Sequence, residues 1–211
     1  LSTVLVTGGS MSMPLDAELA RALAGGGVEV VRDPRVGTGL SITGIVDWGR
    51  LSTKQVETDT PEAVVMFVGA NEGFPLKYDG RNVECCSTEW AAAYATRART
   101  LMNNYRQGGA ARVYWLLLPA PRDERRQAIS RTVNAAITAA AAPYLGQVRL
   151  LDMAAIFTPD FEYSDTIDVD GEEQLVREED GIHLNDEGSR IATERVLERM
   201  RADFGDQIPG G

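Results

Sequence analysis

The chain has one histidine, His183, in Asp180-Gly181-Ile182-His183-Leu184, so any histidine-dependent proton transfer has a single address. Imidazole is the side chain whose ordinary pKa lies nearest neutrality, which suits it to take up and return a proton. An acid three residues earlier in a turn, Asp180, can accept from one ring N–H and fix the tautomer, leaving the other nitrogen free as a base. A base needs a nucleophile, and Ser10 is the candidate, in Thr7-Gly8-Gly9-Ser10-Met11-Ser12. Its glycines permit a tight turn, and a serine there would sit where a following helix presents free N–H groups and a positive dipole. A nucleophilic hydroxyl and a developing oxyanion both need that environment. Two more loops offer donors: Val36-Gly37-Thr38-Gly39-Leu40-Ser41, whose glycines let a backbone N–H approach a bound oxygen, and Gly69-Ala70-Asn71-Glu72, which supplies a neutral amide. Each piece has a plainer reading. A serine after a Gly-Gly turn serves as a helix N-cap, the role expected of Ser12, an Asn after a strand is often a turn residue, and a solitary His is often held structurally. Their joint occurrence favours chemistry.

The elements that must position these residues follow from hydrophobic patterning. Apolar, β-branched runs at residues 3–6, 28–31, 63–68, 112–118 and 148–151 alternate with helical patterns at 12–24, 48–55, 88–107, 123–142 and 185–203. That alternation predicts βαβ units around a parallel sheet buried on both faces. Gly25-Gly26-Gly27 and Gly108-Gly109 stop two helices, Pro143 follows a third, and Asn185 is the natural N-cap of the last, with Asp186 and Glu187 at its positive end. In such sheets ligands bind beyond the carboxyl ends of the strands, which is where the Ser10, Gly39 and Asn71 loops fall. No linker interrupts the composition, so the expectation is one domain over 1–211. The acidic stretch 157–179 is its one insertion, a solvated hairpin lid turning at Asp170-Gly171. An EF-hand does not fit there: counting from Thr166 as position one places Arg177 where the bidentate Glu belongs.

These four blocks resemble the SGNH, or GDSL-like, hydrolase superfamily, named for its Ser, Gly, Asn and His. The matching positions are Ser10 in Gly8-Gly9-Ser10, Gly39 in Gly37-Thr38-Gly39-Leu40, Asn71 in Gly69-Ala70-Asn71-Glu72, and Asp180 with His183. The resemblance implies a flavodoxin-like three-layer α/β/α sandwich with a five-stranded parallel sheet. It implies that Ser10 attacks an ester carbonyl with His183 as base and then acid, and that Asp180 orients the imidazole. The Ser10 and Gly39 N–H groups and the Asn71 amide would hold the oxyanion. No cofactor or metal is implied. Two positions depart from the family pattern: Gly9 stands where it has Asp, a residue that braces the nucleophile loop, and Glu72 where it usually has Asp. Other sites are excluded by spacing, since Ser12 occupies the second glycine of a Gly-x-Ser-x-Gly elbow and neither a dinucleotide nor a P-loop motif is complete.

Composition bounds the partners. Net charge is −10 with dispersed basic residues, which argues against nucleic acid. No run is long enough to span a bilayer. The chain starts at Leu1 without an initiating Met, which leaves room for a targeting segment or membrane anchor outside it. Adjacent Cys85 and Cys86 fit either a vicinal disulfide or free thiols; two small buried hydrophobes are expected rather than a redox site. Trp48, Phe74, Tyr78 and Trp90 are candidates for a sugar cleft, with core packing the plainer expectation for each. The four blocks and the resemblance together predict a serine esterase acting on small acyl esters; the resemblance, which through Thr7 to Met13 and Gly37 to Ser41 looks most like bacterial cell-envelope members of the family, implies O-acetyl groups on a polysaccharide as the substrate. An acyltransferase on such glycans, a degenerate glycan-binding domain without turnover and a structural module that binds an anion are the alternatives.

Overall fold

Three neighbouring strands end beside one another and so bring the Ser10, Gly39 and Asn71 loops to one edge. The computed structural model describes residues 1–209. In chain order its elements are β1 (Thr3–Gly8), α1 (Met13–Leu23), β2 (Glu29–Pro34), α2 (Trp48–Asp59), β3 (Ala63–Phe67), β4 (Leu76–Tyr78), β5 (Arg81–Val83), α3 (Thr88–Tyr105), β6 (Arg112–Leu117), α4 (Glu124–Ala141), β7 (Val148–Asp152), α5 (Ala154–Phe157), β8 (Thr166–Val169), β9 (Glu172–Leu175) and α6 (Asp186–Phe204). The central sheet has the order β2-β1-β3-β6-β7, and every pair in it is parallel. Chain order reverses about β1, which pairs with β2 on one side and β3 on the other, and a doubly wound sheet opens its ligand crevice at such a switch.

The inner strands are apolar along their whole length because both faces are covered. Val4 to Val6 and Ala63 to Val68 are fully buried. Helices α1 and α6 pack together, as do α2, α3 and α4, giving the three-layer sandwich that the patterning and the family resemblance both imply. Four helices begin on a side chain that accepts a backbone N–H: Asp47, Ser87, Asp123 and the expected Asn185. Ser12 departs from expectation. It stands at the N-cap position of α1 but makes no side-chain cap, and its hydroxyl donates instead to the Gly9 carbonyl at 2.7 Å.

The acidic insertion contains the antiparallel hairpin β8-β9, turning through Asp170 and Gly171, both at positive φ. A second hairpin, β4-β5, turns at Asp79-Gly80, and the short α5 follows β7; neither was expected. Cys85 and Cys86 form a vicinal disulfide, so the expectation of two buried hydrophobes fails: Cys86 is exposed and Cys85 half-buried just ahead of α3. Among the described residues no helix is long and apolar enough to cross a membrane.

Candidate active site

Gly8 ends β1 at a φ of 138°, and a Cβ there would lie 2.2 Å from the Phe67 carbonyl oxygen of β3, so only glycine lets the chain turn outward here. The Gly9 N–H donates to that same carbonyl at 3.0 Å, and the Gly9 carbonyl accepts from the Ser12 backbone N–H and hydroxyl. The turn therefore presents Ser10, half-buried, above the carboxyl end of β1. Gly9 itself has an ordinary φ of −83°, and a Cβ on it would stand 3.4 Å from the Thr38 carbonyl. The aspartate expected at that position is absent, but Ser12 supplies a brace from within the loop.

His183 lies across from this turn. Its Nε2 is 2.7 Å from Ser10 Oγ, and its Nδ1 is 2.5 Å from Asp180 Oδ2. With the carboxylate accepting from Nδ1–H, Nε2 is left to accept the serine proton, an assignment made from the hydrogen-bond network. The other carboxylate oxygen of Asp180 accepts the N–H groups of Ile182 and His183 at 2.8 and 3.0 Å. Burial pushes the Asp180 carboxyl up, but hydrogen bonds from the His183 ring and from these N–H groups outweigh it and hold the group below the usual carboxylate range. The site is open to solvent: the side chains of His183 and Asp180 are 30% and 46% exposed.

The histidine loop is tied down by residues that the sequence did not single out. Arg177 donates to the Ile182 carbonyl and to the Ala120 carbonyl, and burial lowers its pKa to about 10. Glu178 N–H donates to the His183 carbonyl, while Arg122 N–H donates to that of Gly181. Gly181 has a φ of 70°, and a Cβ on it would collide with the Arg122 side chain at 2.6 Å.

The two donor loops converge on the same edge. Glu72, adjacent to Asn71, reaches under the Gly39 turn and accepts the N–H groups of Leu40 and Ser41 at 2.7 and 2.8 Å. In the sequence Glu72 is marked only by standing where the resembled pattern usually has Asp. A buried acid that accepts from groups 22 to 32 residues away leaves no local sequence signal. Asn71 opens onto a cleft of about 740 Å³ that also includes Gly37, Ile42, Ile45 and Phe74. Of the four aromatic candidates, Trp48 and Trp90 are core residues, Tyr78 is half-buried against the core, and Phe74 is 53% exposed in this cleft.

Solved structures of acylhydrolases and an O-acetyltransferase share this fold. A lipase/acylhydrolase from Enterococcus faecalis superposes with a TM-score of 0.64 at 16% identity, covering 96% of this chain and 97% of that one. The C-terminal catalytic domain of peptidoglycan O-acetyltransferase A from Streptococcus pneumoniae gives 0.61 at 11% identity, covering 95% and 93%. A lipolytic G-D-S-L family member from Veillonella parvula gives 0.56 at 15% identity, covering 94% and 97%. At these identities the likeness is one of fold. No curated protein matches the sequence. Residues 3–199 match the family described as "Protein of unknown function (DUF459)", and the chain belongs to that family.

Proposed function

We propose that the protein is a serine esterase of the SGNH kind, which moves small acyl groups through an acyl-enzyme on Ser10. The observation that carries this is the continuous relay from Ser10 Oγ to His183 Nε2 at 2.7 Å and from His183 Nδ1 to Asp180 at 2.5 Å. Ser10 Oγ attacks the ester carbonyl carbon as His183 Nε2 takes its proton, and the carbonyl oxygen becomes an oxyanion. The N–H groups of Ser10 and Gly39 and the Asn71 amide receive that charge. Neither N–H has a backbone partner among the described residues, which supports their availability. The intermediate collapses, the alcohol leaves with the proton from His183, and the acyl group stays on Ser10. Water, or a sugar hydroxyl, then gives its proton to His183 and attacks the acyl carbon, which releases the acid or a new ester and restores Ser10.

Transfer to a glycan is the second reading, favoured by the fold shared with a peptidoglycan O-acetyltransferase domain. The same likeness supports a place in the bacterial cell envelope and an O-acylated polysaccharide as substrate. A non-catalytic glycan-binding domain rested on the missing aspartate at Gly9, and the Ser12 brace weakens its motive. Hydrolysis of 4-nitrophenyl acetate tests the proposal: a burst and turnover in the parent, both lost in Ser10→Ala and in His183→Ala, are expected. Equal rates in parent and both variants would refute it. Adding an oligosaccharide acceptor separates transfer from hydrolysis, because a transferase yields acylated sugar in place of free acid.

A further inference from the structure

Glu72 is a carboxylate at 5% exposure, and a buried charge is tolerated only when its lone pairs are used. Both oxygens of Glu72 are saturated. Oε1 accepts from Leu40 N–H at 2.7 Å and from the Tyr94 hydroxyl at 2.9 Å. Oε2 accepts from Ser41 N–H at 2.8 Å and the Ser41 hydroxyl at 2.5 Å. Arg97 donates to the Leu40 carbonyl at 3.0 Å, so the residue whose N–H meets Glu72 is also held at its carbonyl. The fit leaves no space: a Cβ on Gly39 would lie 2.9 to 3.0 Å from the carboxylate atoms. An aspartate would be shorter by one C–C bond, about 1.5 Å, and would not reach both N–H groups from the same backbone position.

With the Leu40 and Ser41 N–H groups drawn inward onto Glu72, the preceding Gly39 N–H has no backbone partner among the described residues. Asn71 is the residue directly before Glu72, so one buried side chain shapes the Gly39 turn while its own backbone carries the amide donor. We propose that Glu72 is a positioning residue for acyl transfer at Ser10: it fixes the Gly39 N–H and the Asn71 amide relative to each other around the developing oxyanion. This rests on the serine-esterase reading above. It assigns Glu72 no contact with substrate, and it makes the departure from aspartate a functional fit between the lengths of two loops.

The test is Glu72→Gln, which keeps the shape but turns an NH2 group toward donors. Losing one oxyanion donor typically costs about 10²-fold in kcat. The expectation is a fall in kcat of about 10- to 100-fold on 4-nitrophenyl acetate, with KM little changed. Affinity for phenylboronic acid, which forms a tetrahedral adduct on the serine, should fall in proportion. The shape of the pH–rate profile should stay as in the parent, because the Ser10, His183 and Asp180 contacts are untouched. A merely structural role would lower melting temperature and active fraction but leave kcat per titrated site and boronate affinity alone. Glu72→Gln that folds by circular dichroism and retains kcat within about twofold overturns the proposal. If Glu72→Gln fails to fold, Tyr94→Phe removes one hydrogen bond from Oε1, and an unchanged boronate affinity there overturns it equally. Parent hydrolysis that ignores Ser10→Ala sinks the esterase reading instead, so the two failures are distinguishable.

Discussion

Helix α6 has a carboxylate cluster at each end, and the two are built to opposite purposes. In its last turn, near the amino ends of β6 and β7, Asp203 accepts from Arg149 at 2.7 and 3.0 Å, from the Tyr114 hydroxyl at 3.0 Å and from Arg199 at 3.1 Å. Just ahead of its first turn, Asp180 accepts from His183, whose far nitrogen faces Ser10. Both acids are held below the usual carboxylate range, because hydrogen bonds outweigh the burial that would raise them. The difference lies in how each acid is enclosed and in what its partner faces. The Asp203 side chain is 6% exposed and accepts four hydrogen bonds from three side chains, with Tyr114 pushed upward by burial and then by the adjacent charge. Asp180 is nearly half exposed, and its partner keeps one nitrogen for a proton. Saturation locks a helix onto a sheet, whereas incomplete saturation leaves a group able to react.

Severing the open cluster should therefore cost rate and spare stability. Ser10→Ala or His183→Ala is expected to lower kcat on 4-nitrophenyl acetate by about 10⁴-fold or more, with a melting temperature close to that of the parent. A similar loss in both, and no further loss in the double variant, would show that they act as one unit. Asp180→Asn removes the acceptor that fixes the imidazole tautomer, and a fall of about 10² to 10⁴ in kcat is expected. Full activity in Asp180→Asn would mean that His183 is oriented by its loop alone, and the contrast between the two ends of α6 would lose its basis.

Asp203→Asn should do the reverse. It leaves the Arg149 charge without its partner, and such a break should cost about 2 kcal/mol, or a drop of about 4–8 °C in melting temperature for a chain of this size. The kcat of the folded variant should match the parent. The pH dependence has a definite sign. A carboxyl whose folded pKa lies below the unfolded value of 3.8 adds stability that is complete above about pH 4 and is lost as the pH falls through the lower folded value. The gap in melting temperature between the parent and Asp203→Asn should be constant from neutral pH to about pH 5, then close below about pH 4. A gap that widened in acid would mean that Asp203 is not the ionised member of its cluster.

The open cluster was also the more legible in sequence. Asp180 and His183 are three residues apart in a turn, and Ser10 follows a Gly-Gly pair after an apolar strand, so short-range spacing carried most of the signal. The five central strands and five long helices were readable because burial on both faces makes the strands continuously apolar while the helices keep their 3.6-residue period. What escaped were contacts between distant residues. Glu72 grips a turn 32 positions earlier, Arg177 reaches the Ala120 carbonyl 57 positions away, and Asp203 meets Tyr114 from 89 positions away. No local pattern marks such groups. The β4-β5 hairpin was missed for a different reason: Asp79-Gly80 is the same turn signal as Asp170-Gly171, but strands of three residues are too short to show an alternation. Ser12 stands at an N-cap position, yet its hydroxyl donates to the Gly9 carbonyl within the nucleophile turn instead of accepting a helix N–H.

Gly9 gives the smallest and finest test of that turn. Gly8 cannot change, because a Cβ would strike the Phe67 carbonyl, but Gly9 has backbone angles open to any residue and its nearest neighbour stands at 3.4 Å from the new atom. Gly9→Ala removes unfolded-state freedom without a native clash, so stability should rise by about 0.4–1 kcal/mol. Activity should stay within about threefold of the parent, because the bonds from Ser12 and to Phe67 that hold Ser10 use only the Gly9 backbone. The contrasting variant is Ser12→Ala, which deletes the hydroxyl brace and should cost more activity than Gly9→Ala. If Gly9→Ala proves the more damaging of the two, the turn depends on glycine flexibility rather than on the Ser12 hydroxyl, and the nucleophile must move during the reaction.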